Sequence, residues 1–246
     1  MSIRFCTAFL MIWLNLASLV VAEEKKLVFS TIEGSPLAEI AGAVMGKAYD
    51  QLGIPIEIYF TSGNRALVVS SGGHVDGELV RIGVVKERFP ALQQVPVPNL
   101  EAKGFVYVRR GDKERLSDSN LAKLRIGYLE GVVQAQKFTI GFENVWQAQS
   151  VDELFQLLSS GKLDAVVSDR FDGPLTIAKL GLADIVPLGA PFQVEPMFHY
   201  IHEKNSHLVP KVAKVLMQMR NSGEIDAITE AEMAGMIAEY RNVAAK

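Results

Sequence analysis

Ser159-Ser160-Gly161-Lys162-Leu163-Asp164-Ala165-Val166-Val167-Ser168-Asp169 repeats the succession already written in Ser70-Ser71-Gly72-Gly73-His74-Val75-Asp76-Gly77-Glu78-Leu79: helix end, glycine, apolar residue, aspartate, short apolar run. Glycine just past a helix takes the left-handed conformation that stops it, and a short apolar run bounded by turn residues reads as a buried strand. The duplication points to two similar α/β lobes, each sending a strand end toward a shared cleft. A looser third copy, Asn221-Ser222-Gly223-Glu224-Ile225-Asp226-Ala227-Ile228, has no strand-like run behind it, so context has to carry the reading.

Working outward, the first residues read as an export signal. Met1 to Arg4 carry one positive charge, Phe5 to Val21 are apolar except Thr7, Asn15 and Ser18, and Val20-Val21-Ala22 offers small residues before Glu23-Glu24-Lys25-Lys26. This predicts a cleaved signal peptide over residues 1–22 and a periplasmic location; an uncleaved membrane anchor is the competing reading, since the apolar run is near the lower length limit for a span. Cys6, the only cysteine, falls inside that segment. A mature chain from Glu23 would therefore have no disulfide, thiolate nucleophile or cysteine metal site. The formal charge is −3 with both signs interspersed, which offers nucleic acid and acidic lipid no general attraction.

Strands and helices alternate along the mature chain. Lys26–Thr31 reads as a strand. Ser35 then stands as a cap before Pro36, and Leu37, Ile40, Ala41, Val44, Met45, Ala48 and Leu52 recur at helical spacing up to Gly53. A strand over Ile54–Phe60, a short helix over Asn64–Ser71 and a strand over Val75–Ile82 follow. Gly104–Arg110 is a β-rich crossing into a second series: a strand at Arg125–Tyr128, a helix after Gly131, and a helix at Ser150–Ser160 with Ser150 and Glu153 as a capping box. Next come a strand at Asp164–Ser168, a helix to Leu180 and a strand at Ile185–Pro187. Met197–His202 brings the chain back, and the tail is helical, with Thr229 and Glu232 marking the start of a last helix. Two crossings make the first lobe discontinuous: residues 23–104 plus 197–246, with 105–196 as the second lobe.

In order and spacing, Gly73-x-x-Asp76-Gly77-Glu78-Leu79, the crossing at Phe105–Arg110, Ile126-Gly127-Tyr128-Leu129-Glu130-Gly131, Leu163–Asp169 and the return at His199–Lys204 resemble the family-3 extracellular solute-binding proteins. The chain is similar to a branch with Arg65-Ala66-Leu67, Asp76 to Arg81 and Phe89-Pro90-Ala91-Leu92. The resemblance covers nearly all of the mature chain. It implies a two-lobed periplasmic-binding-protein-like II α/β fold with hinge strands. It also implies capture of a small polar solute, amino-acid-like or amine-bearing, and delivery to the membrane permease of an ABC importer by a monomer needing no cofactor and performing no turnover. A stand-alone sensor for a membrane signalling partner is the alternative, and a lyase or dehydratase on the same fold comes after it.

The resemblance also implies which residues meet the solute. The carboxylate-gripping arginine of the family falls on Arg88, where a solvated turn charge is the other reading; Arg81, nearer the strand end, competes for that role. A guanidinium suits it because its planar fork donates two parallel hydrogen bonds. Asp169 matches the aspartate that accepts the ligand ammonium, and it can equally cap the helix that follows. The hydroxyl pair usual after the glycine is replaced by Val132-Val133 beside Glu130, which disfavours standard α-amino-acid recognition. Glu78 is a pocket residue or the partner of Arg81 in an internal ion pair. Arg65 reaches the cleft or pairs along its helix, and Tyr128, with Phe60 and Phe171, lines the cleft or packs in the core. His74, His199, His202 and His207 read as unrelated surface or hinge histidines, so no metal site is expected. No nucleophile elbow, phosphate-cradling loop or dinucleotide fingerprint is present. Glu78 and Asp169 could in principle form an acid–base pair across the cleft.

Overall fold

The computed structural model describes residues 26–116 and 118–244; the expected signal segment, residues 1–22, lies outside the described residues. The first elements are β1 (Leu27–Ile32), α1 (Pro36–Asp50), β2 (Ile56–Thr61), α2 (Gly63–Ser71), β3 (Gly77–Ile82), α3 (Val85–Arg88), β4 (Leu92–Gln94) and the long strand β5 (Leu100–Arg109). The second series is β6 (Arg125–Leu129), α4 (Val133–Phe138), β7 (Asn144–Ala148), α5 (Val151–Ser159), β8 (Ala165–Asp169), α6 (Asp172–Lys179) and β9 (Ile185–Pro187). The chain returns along β10 (Gln193–His202) and ends in α7 (Val209–Asn221) and α8 (Glu224–Ala244).

The repeated segment has a shared physical job. Gly73 and Gly161 lie at φ 72° and 73°, the left-handed region, and turn the chain off α2 and α5. The aspartate then locks the coming strand to its parallel neighbour. Asp76 donates its N–H to Val28 O at 2.6 Å and accepts the Val28 N–H on Oδ2 at 2.9 Å. Asp164 repeats both bonds with Arg125, at 2.8 and 3.0 Å. β3 is thereby set beside β1, and β8 beside β6, as the ladders begin.

A single curled sheet runs in the order β2-β1-β3-β10-β5-β8-β6-β7, with β4 on β10 and β9 on β5. Each outer group of three strands is parallel, and the antiparallel pair β10 and β5 joins them, from Gln193 opposite Gly104 to Met197 opposite Leu100. Phe29, Ile40, Val44, Leu79, Val80 and Leu216 centre the core of the first half. The second half has apolar clusters on both sheet faces, around Ile126 and Val167 and around Phe155 and Leu158. Phe171, just ahead of α6, and Leu175 within it pack into the first core, where α6 lies alongside α8.

Three local readings change. Ser35 makes no side-chain cap; its carbonyl takes the N–H groups of Ala38 and Glu39 instead. The last helix starts directly after Gly223, and Thr229 lies inside it with its hydroxyl donating to Ile225 O at 2.8 Å. Of the surface and hinge readings of His199 the surface one fails: it is fully buried on the joining strand β10, with its Nδ1 3.2 Å from Leu79 O and its Nε2 2.9 Å from Tyr49 Oη. A carbonyl only accepts, so Nδ1 carries the proton and Nε2 accepts from the tyrosine. Burial pushes the His199 pKa down to about 4.

Candidate functional site

The carboxyl ends of β6 and β8 face the end of β3 across the two joining strands, the position where open α/β sheets bind ligands. A cavity of about 160 Å³, partly open to solvent, lies there. Its apolar walls include Ile82 from β3, Leu129 and Val132 from the β6 end, and Phe192 and Met197 beside and on β10. Gly104 on β5 gives Phe192 its place: a Cβ there would stand 2.5 Å from the ring. Ile82 and Met197 also line a second space of about 190 Å³, floored by Thr31 and walled by Leu37, Val80 and Arg81. The two spaces therefore adjoin.

Charge in the first cavity is acidic. Asp169 ends β8, Asp172 opens α6, and Glu195 lies on β10 in register with the cavity-facing Gln193 and Met197. Asp169 Oδ1 accepts the N–H groups of Phe171 and Asp172, both at 2.7 Å, so it caps α6. Tyr107 Oη donates to Asp169 O at 3.0 Å and fixes that strand end. Asp169 Oδ2 and the Asp172 carboxylate have no hydrogen-bond or ion-pair partner among the described residues. Burial holds the Asp169 carboxyl above the usual range, and burial together with the Asp169 charge pushes Asp172 up to about 6. Lys103 is the cation of this wall, and its ammonium is paired at 3.3 Å with Glu101, two residues earlier on the same face of β5.

Glu78 and Arg81 form an internal ion pair. Three residues apart, they would face opposite sides of a regular strand. The pairing of β3 with β10 shifts register, however: Arg81 is opposite Phe198 and Glu78 opposite Tyr200, which leaves Leu79 and Val80 against His199. This extra residue is a β-bulge. It sends Leu79 and Val80 together into the core and returns Arg81 to the side of Glu78. Arg81 Nε lies 2.6 Å from Glu78 Oε1, and Arg81 Nη2 donates to Gly63 O at 3.0 Å. Ser30 donates to Glu78 Oε2 at 2.7 Å. Glu78 is 0% exposed and the Arg81 side chain 12%. Burial outweighs the Arg81 charge and raises the Glu78 pKa. Glu78 is thus enclosed on the α2 side and does not confront Asp169 as an acid–base partner.

The other expected residues are scattered. Val132 lines the main cavity. Tyr128 is packed in the second-half core at 3% exposure and lines no part of it. Arg88 is exposed on α3 with its guanidinium over Phe89, and Arg65 is exposed on α2. Glu130 is exposed and held by Gln149. Among aromatic candidates, Phe60 is exposed and Phe171 buried in the core. Asp172, Glu195, Phe192 and Thr31 join the cleft without having been singled out from the sequence. Of these, only Asp172 carried a local signal, an acid three residues past a strand-end aspartate. Among the described residues, no three His, Cys, Asp or Glu side chains gather to hold a metal ion, and no helix is long and apolar enough to cross a membrane.

No protein-family model matches the chain, and no curated protein matches it. Solved structures do. AncCDT-1, an ancestral cationic amino acid solute-binding protein and precursor of cyclohexadienyl dehydratase, superposes with a TM-score of 0.65 at 20% identity, over 85% of this chain and 95% of its own. AbpA of Streptococcus pneumoniae, an amino acid ABC transporter substrate-binding protein bound to L-arginine, gives 0.57 at 19%, over 86% and 96%. A histidine kinase sensor domain with similarity to periplasmic binding proteins gives 0.58 at 14%, over 85% and 96%. The chain has the two-lobed periplasmic-binding-protein-like fold of these solute-binding proteins.

Proposed function

We propose that this protein captures a small polar solute, amino-acid-like or amine-bearing, between its lobes in the periplasm and hands it to the membrane permease of an ABC importer. One observation carries the reading: a cavity lined at once by the end of β3, both joining strands and the ends of β6 and β8. A solute there touches both walls only when the lobes are together, so its contacts favour the closed arrangement and couple binding to shape. Capture needs no cofactor and no chemical step, and Asp169, fixed by Tyr107 and by the α6 N–H groups, is the anchor for the solute's positive end. The likeness to AbpA supports the importer context.

The likeness to a kinase sensor domain supports a second reading, in which the closed form is presented to a membrane signalling protein. Thermal unfolding of the purified protein against amino acids, polyamines, small carboxylates and oligopeptides tests the capture reading. A ligand at a hundred times its Kd adds about 2.7 kcal/mol to stability. A shift by one solute class that is lost in Asp169→Asn supports capture; cooperative unfolding with no shift across the panel refutes it. Reconstitution of uptake with a candidate ABC permease separates import from sensing.

A further inference from the structure

We propose that the cleft selects an organic cation with an apolar body and no carboxylate, an alkylamine or arylalkylamine, over the corresponding amino acid. This rests on the capture reading and narrows it. The charged side chains lining the main cavity are Asp169, Asp172 and Glu195 against one cation among the described residues, Lys103, whose ammonium is paired with Glu101 at 3.3 Å. No arginine among the described residues lines the main cavity: Arg88 and Arg65 are exposed away from it, and Arg81, on the wall of the adjoining space, is already bound to Glu78 and to Gly63 O. An ammonium entering the cavity meets the unpartnered Asp172 carboxylate and Asp169 Oδ2. A carboxylate entering with it would meet three acids, and the cations within reach, Lys103 and Arg81, are each already paired with a glutamate.

The rest of the wall takes hydrocarbon, through Ile82, Leu129, Val132, Phe192 and Met197. A second observation lies in the adjoining space. Thr31 is fully buried there, and its Oγ1 has no hydrogen-bond partner among the described residues. A hydroxyl both donates and accepts, so it can serve an uncharged or N–H-bearing far end that passes Ile82 and Met197. The hydroxyl offers a carboxylate no charge, and the cation of that space, Arg81, is held by Glu78 and Gly63 O.

Isothermal titration calorimetry with matched pairs tests this: phenethylamine against phenylalanine, agmatine against arginine, cadaverine against lysine. The expected result is at least tenfold tighter binding of the amine in one pair. Asp172→Asn and Glu195→Gln, neither of which removes a bond that holds the fold, should each weaken that amine at least fivefold while unfolding stays cooperative. Equal or tighter binding of the amino acid overturns the selection but leaves capture standing, as does a panel in which only carboxylates bind. Amine binding unaffected by both variants also overturns it. No binding of any solute overturns capture as well.

Discussion

Replacing Arg81 by Met keeps most of the side-chain volume and removes the charge that faces Glu78, and the outcome separates an internal strut from a ligand-gripping arginine. Glu78 is fully enclosed, with the Ser30 hydroxyl at 2.7 Å and the Ser70 hydroxyl at 3.5 Å as its remaining partners. Breaking a buried pair from one side typically destabilises by about 3–5 kcal/mol. The carboxyl can escape part of this by taking up a proton. Holding a Glu of ordinary pKa 4.5 neutral at pH 7 costs about 3.4 kcal/mol, at about 1.36 kcal/mol per unit. Burial already raises Glu78 in the parent protein, so part of that penalty is present there and about 3 kcal/mol is the ceiling for ionisation. Loss of the bond to Gly63 O adds about 1 kcal/mol.

The sign follows from linkage. In the variant the folded pKa lies further above the unfolded one, so stability is greatest below pH 4.5 and falls as pH rises. Urea unfolding should therefore show a loss of about 2–4 kcal/mol at pH 7.5, shrinking toward about 1 kcal/mol near pH 4.5, and Glu78→Gln combined with Arg81→Met should recover most of it. A loss below about 1 kcal/mol at pH 7.5, a loss independent of pH, or a double variant no better than the single one would refute the strut.

Asp172, raised to about 6 by burial and by Asp169, contributes stability below pH 4 that is lost as pH rises through 6; Asp172→Asn should gain up to about 3 kcal/mol at pH 7.5 and nothing near pH 3.5. Urea curves at the two pH values check it, and greater stability alongside weaker amine binding would mark strain kept at a functional site. His199 behaves oppositely: its folded pKa of about 4 means stability complete above pH 6.5 and lost as pH falls toward 4, by about 3 kcal/mol. His199→Gln should flatten that slope in melting curves, whatever it does to stability at pH 7.5. Gly104→Ala would force the Phe192 ring away from a contact at 2.5 Å, at about 1–3 kcal/mol. It should also weaken solute binding, whereas a fully stable, fully binding variant would show that Phe192 is not held there.

The frame was readable because it rests on local rules. Gly161 and Asp164 end α5 and start β8 through a left-handed residue and a pair of backbone bonds, and both leave a pattern within a few residues. The crossings at β5 and β10 were visible as apolar runs, although each starts earlier than its most apolar part: β5 at Leu100 and β10 at Gln193. Strands with little apolar content left no such trace. β7, Asn144–Ala148, is the sheet's outer edge and exposed along four of its five residues, so the alternation that marks a half-buried strand was never required of it.

The cleft was harder to read because its charges are decided by partners far along the chain. Glu78 and Arg81 were recognised as a possible pair, but period-two alternation places them on opposite faces. Only the bulge against His199, about 120 residues downstream, puts them together. Once they neutralise each other, the first lobe offers the cleft no free guanidinium. The acids of the second lobe and β10 then outnumber Lys103, the cation of the main cavity, and Glu195 joins them because β10 returns beside β5 with Gln193, Glu195 and Met197 on the cavity side. The fold, in this sense, determines the sign of the site: the same residues on an unbulged β3 would turn Arg81 away from Glu78 and give a carboxylate something to bind.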